Sequence, residues 1–126
     1  MTNHDIRQLV ERYLDIFPEE TNDFELLQKQ LTDSAPITAR DNTVGHVTAS
    51  GLVLSSDEIL LIFHNKIKKY IQPGGHLEND AEVWLTAKRE IEEETGLAVD
   101  LHQWHRGHDC IPLQIDTHPI PARPEK

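Results

Sequence analysis

The sequence of 126 residues predicts an α/β domain that follows an N-terminal helical hairpin. Three observations support this fold class. In the first 32 residues, apolar residues recur at intervals of three and four, which is the period of an amphipathic α-helix. Between positions 47 and 64, runs of β-branched and aliphatic residues are typical of strands. The pair Gly74-Gly75 then breaks the chain sharply before another helical pattern begins.

Residues 1–44 are predicted to form two helices and a linker. The first helix covers residues 3–17, and the second covers residues 22–32. Residues 33–43 are polar, contain a proline and form the linker. We expect the two helices to form a hairpin that either covers the sheet or provides the contact of a homodimer. The apolar face of the first helix consists of Ile6, Leu9, Val10, Tyr13, Leu14 and Phe17.

Residues 45–126 are predicted to form the α/β domain itself. Residues 47–54 and 58–64 are expected to pair as a hairpin, because Ser55-Ser56-Asp57 makes a turn between them. The further elements are a short strand over 69–72, a helix over 80–94, strands over 97–104 and 110–116, and a proline-rich tail over 119–126. Since this tail provides no closing element, we expect that the C-terminal part of the domain is missing or that another subunit completes the sheet.

Composition and charge argue against several classes of function. No apolar run approaches the roughly 20 residues of a membrane span, and the N-terminus lacks the pattern of a signal peptide. The single cysteine, Cys110, excludes an intrachain disulfide and suits a reducing cytoplasm, where we expect the protein to act. The formal net charge of −10 disfavours binding to a nucleic-acid backbone. We therefore expect neither nucleic acid nor a membrane as a partner.

Much of the negative charge is concentrated in residues 78–100, which contain eight acidic and two basic residues. Each residue of a helix turns by about 100°, so Glu90, Glu93 and Glu94 share one face while Glu92 points away into solvent. Like charges at this spacing destabilise a helix, so local stability gives no reason for the cluster. A hard cation such as Mg²⁺ does give a reason, because it takes oxygen ligands. The alternative is an acidic helix face that is simply solvated.

These acidic residues belong to a longer pattern. A resemblance to the Nudix box is carried by Gly75, Arg89-Glu90-Ile91, Glu93-Glu94 and Gly96-Leu97. The box reads Gly-x5-Glu-x7-Arg-Glu-U-x-Glu-Glu-x-Gly-U, in which U is a bulky aliphatic residue. The spacing fits residues 75–97 without a gap, but Ala81 replaces the first glutamate. In the family that glutamate often pairs with the arginine, and the carboxylates that would have to replace it here are Glu78, Glu82 or Glu93.

The resemblance implies a fold and a function. The fold is an α/β/α sandwich, in which a mixed sheet is packed between helices. The function is Mg²⁺-dependent hydrolysis of a nucleoside diphosphate linked to another moiety, with Mn²⁺ as a substitute for Mg²⁺. The alternative is a catalytically weak or inactive module that binds nucleotides, since Ala81 departs from the pattern. The residues carried over by position are Glu90, Glu93, Glu94 and Gly74 as metal ligands, and Glu90, Glu93 and Arg89 as catalytic residues.

Four residues outside the acidic face are candidates for substrate binding. Gly75 lets a ligand approach the backbone closely, and His76 could contact a phosphate. Lys66 and Lys68 lie in the basic cluster of the sequence and could steer an anionic substrate towards the site. For His76 and the lysines, a residue in an exposed turn is the alternative.

A second candidate metal site lies near the end of the sequence. His105, His108 and Cys110 could belong to a tetrahedral zinc set. Their spacing is not that of a known pair of ligands, and no fourth ligand can be named. Polar loop residues and a buried thiol are therefore the favoured interpretation.

Overall fold

The computed structural model describes residues 1–33, 35–42 and 44–118. The elements in chain order are α1 (Asn3–Ile16), a 3-10 helix (Pro18–Phe24), α2 (Glu25–Leu31), β1 (Thr48–Ser50), β2 (Val53–Ser55), β3 (Glu58–Leu60), β4 (Ile62–His64), β5 (Lys69–Ile71), β6 (Gly74–His76), α3 (Val83–Thr95) and α4 (Gln103–Arg106). The predicted α/β class and N-terminal helices are confirmed. The predicted tail over 119–126 lies outside the described residues. No described helix has both the length and the apolar character needed to cross a membrane.

The first helix, α1, follows from its cap and its apolar face. Thr2 and Asp5 form a capping box, in which each side chain accepts a hydrogen bond from the backbone amide of the other. The helix ends before Pro18, whose ring suits the first position of the 3-10 helix that follows. The second predicted helix, residues 22–32, is divided in the structure between the end of this 3-10 helix and α2.

The strands pair in three short antiparallel ladders. β2 and β3 form the part of the predicted hairpin next to the turn, with Ser55 opposite Glu58. The outer parts of the predicted strands, β1 and β4, do not pair with each other but with β6 and β5. β4 pairs with β5, which confirms the short strand predicted over 69–72. β1 pairs with β6 over a longer separation in the chain, with Ser50 opposite Gly74. This last ladder places the glycine pair within a sheet.

The prediction of two strands after the acidic helix is wrong. In the described part of the chain, no residue after β6 lies in a strand, so neither 97–104 nor 110–116 is extended as expected. The first segment instead leads into α4, whose start is capped by a His102 ring nitrogen. Asp109 and Cys110 have left-handed backbone angles, at φ 59° and 57°, which a strand does not allow. The described sheets are therefore separate antiparallel pairs rather than the single mixed sheet that the resemblance implies.

A hydrophobic core joins the N-terminal helices to the rest of the chain. Tyr13 and Phe24 are fully buried in it, and Leu77 and Ile111 enter the same cluster from later segments. The hydroxyl of Tyr13 donates to Glu20 at 2.9 Å, so its polar atom has a partner at the edge of the core. Because both parts of the chain share this core, packing does not mark the predicted boundary after the linker, and that boundary stays a prediction.

The helix α3 lies against β1 and β6 and carries the acidic residues to the glycine pair. Its buried Ile91 packs beside Gly51, where any Cβ atom would collide with the isoleucine side chain. Gly96 ends the helix in the left-handed conformation at φ 72°, as expected of a C-terminal cap. The helix predicted over 80–94 is thus confirmed, with a later start.

Candidate functional site

The glycine pair in β6 brings the strand backbone close to both of its neighbours. A Cβ atom added to Gly74 would lie 2.6 Å from the Ala49 carbonyl oxygen of β1. A Cβ atom added to Gly75 would lie 2.5 Å from the carboxyl carbon of Glu90 in α3. A larger residue at either position would therefore push β6 away from β1 or displace the Glu90 carboxylate. The close fit seats this carboxylate against the strand.

Arg89 joins the strand, the loop after it and the helix. Its Nη2 atom donates to the Asp80 carboxylate at 2.9 Å and to the His76 carbonyl oxygen at 3.2 Å. Its Nη1 atom donates to Glu90 Oε1 at 3.0 Å and lies 3.6 Å from a Glu93 carboxylate oxygen. The two ends of the guanidinium group therefore have different partners. One end fixes the loop, and the other faces the α3 carboxylates.

Asp80 is a site residue that the sequence pattern missed. Its carboxylate accepts hydrogen bonds from the Thr86 hydroxyl at 2.8 Å and the Glu78 backbone amide at 3.2 Å, in addition to Arg89. The hydrogen bond from Arg89 is the main cause that lowers the pKa of Asp80 to about 2, and the same contact raises the pKa of Arg89. The available signal in the sequence is that Asp80 stands one position before Ala81, where the box has a glutamate.

None of the three carboxylates expected to replace the box glutamate is the main partner of Arg89. Glu78 lies 3.9 Å from Nη1 and Glu93 lies 3.6 Å from it, and both side chains are more than half exposed. Glu82 instead accepts a hydrogen bond from an indole nitrogen of α3. Asp80 is nearer to the guanidinium group and its side chain is only 15% exposed, so it forms the stronger ion pair.

The acidic residues of α3 lie on two sides of the helix. The pKa of Glu94 is raised, chiefly because the surrounding protein removes solvent and next because Glu90 is negatively charged, while the Gly74 amide opposes this rise. Glu90 and Glu94 therefore both face β6. Glu92 lies on the other side, where it is half-buried and accepts a hydrogen bond from the Val99 amide at 3.4 Å. The prediction that Glu92 points into solvent is therefore wrong in part, because Glu93 and Glu94 are the exposed glutamates of this helix.

No metal-binding cluster is formed among the described residues: no three acidic, histidine or cysteine side chains there are grouped to hold an ion. The positive charge between Glu90 and Glu93 belongs to Arg89 Nη1. The Gly74 amide lowers the pKa of Glu94, and a role of the Gly74 carbonyl as a metal ligand stays a prediction. The donors still suit a hard divalent cation in their chemistry, because they are carboxylates and one of them lies in a cradle that a Cβ atom would fill. Binding of Mg²⁺ stays a prediction.

His76 lies at the end of β6 against a second histidine. The Nε2 atoms of His76 and His46 are 3.2 Å apart, and the two rings stack with centroids 4.8 Å apart. The pKa of His76 is lowered, chiefly by burial and also by the charge of Arg40, so the neutral ring is favoured. No sequence pattern points to His46, because its contact depends on the pairing of β1 with β6.

Lys66 and Lys68 lie in the turn between β4 and β5, and both are exposed. Lys68 has a left-handed backbone angle of φ 57°, which fits its place in the turn. The same hairpin carries His64, which is close enough to Glu94 to oppose the rise that burial causes in its pKa. Attraction of an anion towards the site by the two lysines stays a prediction.

In the second candidate metal site, both histidine rings contact backbone carbonyl oxygens of the same segment. His105 Nδ1 lies 2.7 Å from the Ile111 carbonyl oxygen, and His108 Nδ1 lies 2.6 Å from the Trp104 carbonyl oxygen. Cys110 is half-buried in the turn that follows. These contacts favour polar residues that bind their own backbone, although His105 lies in α4 rather than in a loop and the thiol is only half-buried.

The fold and the site define an α/β domain in which an acidic helix is packed on a glycine-paired strand. The chain belongs to the NUDIX domain family, since the model of the NUDIX domain matches residues 45–119, more than half of the chain. The resemblance seen over residues 75–97 is thereby confirmed, and the protein is a Nudix-type hydrolase or a related module. Comparisons with curated proteins and with solved structures found no match.

Proposed function

We propose that this protein hydrolyses a phosphoric anhydride bond in a nucleoside diphosphate linked to another moiety, with Mg²⁺ or Mn²⁺ as cofactor. One observation carries the proposal: Glu90 and Glu93 lie against the same guanidinium nitrogen, beside the closely packed glycine pair. Carboxylates held close to one point attract a hard cation. A bound cation would offset the repulsion between this acidic site and a negatively charged diphosphate.

The proposed roles follow from the positions of the side chains. Glu90, Glu93 and Glu94 would hold the cation, with the Gly74 backbone beside them. When bound, such a cation neutralises the charge of the diphosphate and lowers the pKa of an attacking water. Glu90 or Glu93 would accept the proton of that water. Arg89 would keep both carboxylates against the strand.

The proposed reaction consumes only water and the diphosphate compound. The water oxygen forms a bond to one phosphorus atom, and the bond from that phosphorus to the bridging oxygen breaks. The bridging oxygen leaves with the second phosphate, and the proton passes through the carboxylate to solvent. His76 would contact the phosphate from β6, while Lys66 and Lys68 would attract the anion to the site. Gly75 would let it approach the backbone.

The proposed setting is the cytoplasm, since the single thiol of Cys110 suits a reducing compartment. The proposed partner is a small molecule. The N-terminal helices direct Leu9, Tyr13 and Phe24 into the chain's own core, which favours a covering role for their apolar faces. A homodimer contact would have to use the remaining face of the hairpin.

Incubation with a panel of nucleoside diphosphate derivatives tests this proposal. Release of phosphate or nucleotide is measured with Mg²⁺ and with a chelator in its place. Turnover that requires the metal supports the hydrolase. If no compound is turned over while a ligand still binds in the presence of metal, the hydrolase is contradicted.

Glu94→Gln and Glu92→Gln form a matched pair, because they make the same change on opposite sides of α3. Glu94→Gln should lower the rate by about tenfold or more, since an uncharged amide attracts a divalent cation less strongly than a carboxylate does. Glu92→Gln should leave the rate near that of the wild type, because an amide oxygen can still accept the hydrogen bond from Val99. Equal losses in both variants would contradict the assigned face.

A module that binds nucleotides without hydrolysis is the second candidate function. One observation favours it: Ala81 replaces a glutamate of the box. Such a module would bind a nucleoside diphosphate derivative in a titration with metal and release no product. The panel described above therefore separates the two functions.

A further inference from the structure

Asp80 forms more contacts than its ion pair with Arg89. Its carboxylate accepts hydrogen bonds from Arg89, from the Thr86 hydroxyl and from the Glu78 amide. The Thr86 side chain is fully buried in α3, so this anchor has little freedom to move. The amino group of Met1 also lies 3.3 Å from the Asp80 carbonyl oxygen. Asp80 is therefore fixed by the helix, the loop and the N-terminus together.

This anchoring decides which atoms of Arg89 face the acidic residues. Asp80 and the His76 carbonyl oxygen occupy Nη2, so Nη1 is the end that reaches Glu90 and Glu93. The negative charge of Asp80 also compensates the guanidinium charge at short range. The two glutamates consequently keep more of their negative potential for a cation than they would beside an uncompensated arginine.

We propose that Asp80 is a positioning residue that sets the affinity of the Glu90 and Glu93 site for a divalent cation, an inference that rests on the proposed function. Without the charge of Asp80, the guanidinium group is free to turn towards both glutamates and competes there with the cation. Groups that orient a ligand without touching the metal typically change metal affinity by roughly tenfold to a hundredfold. Asp80 takes this role from one position before the box glutamate that the sequence lacks.

Calorimetric titration with Mn²⁺ tests the inference on the wild type, on Asp80→Asn and on a matched control. The control is Asp100→Asn, which removes an ion pair of the same type with Arg106, at 2.8 Å and in an exposed place. Asp80→Asn should raise the Kd for Mn²⁺ by about tenfold. Asp100→Asn should leave it unchanged. A folded Asp80→Asn protein that binds Mn²⁺ with the wild-type Kd overturns the inference.

Two further variants separate positioning from folding. Asp80→Glu keeps the charge, so its Kd for Mn²⁺ should stay closer to the wild type than that of Asp80→Asn. An Asp80→Glu protein that binds as weakly as Asp80→Asn overturns the role of the charge. If Asp80→Asn does not fold, Thr86→Val decides, because it removes one anchor of Asp80 and leaves the carboxylate in place. A Kd unchanged in Thr86→Val then overturns the inference.

Failure of the inference and failure of the proposed function give different results. If the wild type binds Mn²⁺ and hydrolyses none of the panel, the proposed function fails, while the Kd comparison still decides the role of Asp80. If the wild type hydrolyses a compound, the Mg²⁺ concentration for half-maximal rate gives a second readout. It should rise in Asp80→Asn together with the Kd, and if neither value changes, the inference alone fails.

Discussion

The ion pair between Asp80 and Arg89 should make the stability of the protein depend on pH in a defined range. In the folded state the hydrogen bond from Arg89 is the main cause that lowers the pKa of Asp80 from 3.8 to about 2. A carboxylate with a lowered pKa contributes its full stabilisation above its unfolded pKa, and this contribution is lost as the pH falls through the folded pKa. The range is therefore from about pH 4 down to about pH 2.

The size of this contribution follows from the two pKa values. The difference between 3.8 and about 2 corresponds to at most about 2.5 kcal/mol in the free energy of unfolding. Solvent reduces this value, because the side chain of Arg89 is 25% exposed and that of Asp80 is 15% exposed. We expect Asp80→Asn to cost about 1–2 kcal/mol at pH 7. For a domain of this length, that is a fall in Tm of about 3–8 °C.

Urea unfolding at pH 7, pH 4 and pH 2 measures this effect in the wild type and in Asp80→Asn. The difference between their free energies of unfolding should be largest at pH 7 and should shrink to a few tenths of a kcal/mol near pH 2. Asp100→Asn is the control, and its effect at pH 7 should be smaller because its ion pair is exposed. A difference for Asp80→Asn that stays constant between pH 7 and pH 2 would refute the assignment of the lowered pKa.

Gly75→Ala should weaken Mn²⁺ binding and metal-dependent turnover by about tenfold, because the new Cβ atom displaces the Glu90 carboxylate. Gly107→Ala is its control, since a Cβ atom there would meet no atom closer than 3.6 Å, and equal effects in the two variants would contradict the close-fit argument. Tyr13→Phe should lower the free energy of unfolding in urea by about 1 kcal/mol, because it removes the hydroxyl that donates to Glu20. An unchanged value would mean that this hydrogen bond adds nothing to stability.

Local patterns predict the elements whose stability is local. The apolar period predicts α1, and the turn at Ser55-Ser56-Asp57 predicts the pairing of β2 with β3, since both depend on residues close in the chain. The segment after α3 differs, because Asp109 and Cys110 turn the chain and Ile111 enters a core formed mainly by the N-terminal helices. Its apolar residues have the composition of a strand, but distant packing determines their conformation.

The candidate site likewise contains one feature that the local sequence predicts and one that it does not. The shared side of Glu90 and Glu94 follows from helical spacing, which sequence alone provides. The partner of Arg89 does not follow from helical spacing, because it depends on the path of the loop between β6 and α3. Counting positions along the box cannot show which carboxylate in a non-helical loop reaches the guanidinium group. In the structure Asp80 reaches it, while Glu82 turns to an indole nitrogen.

The way in which the Arg89 guanidinium group shares its nitrogens and its charge among its partners matters more to this site than the number of acidic residues around it. Arginine keeps its proton at any ordinary pH, and the contact with Asp80 raises its pKa further. Its positive charge therefore cannot be removed to make room for a metal ion; it can only be shared differently among its partners. Asp80 and the His76 carbonyl oxygen hold one end, which leaves a single nitrogen to Glu90 and Glu93. A weaker hold by Asp80 would direct more of the charge to those two glutamates, and an acidic helix of unchanged composition would then attract a cation less strongly.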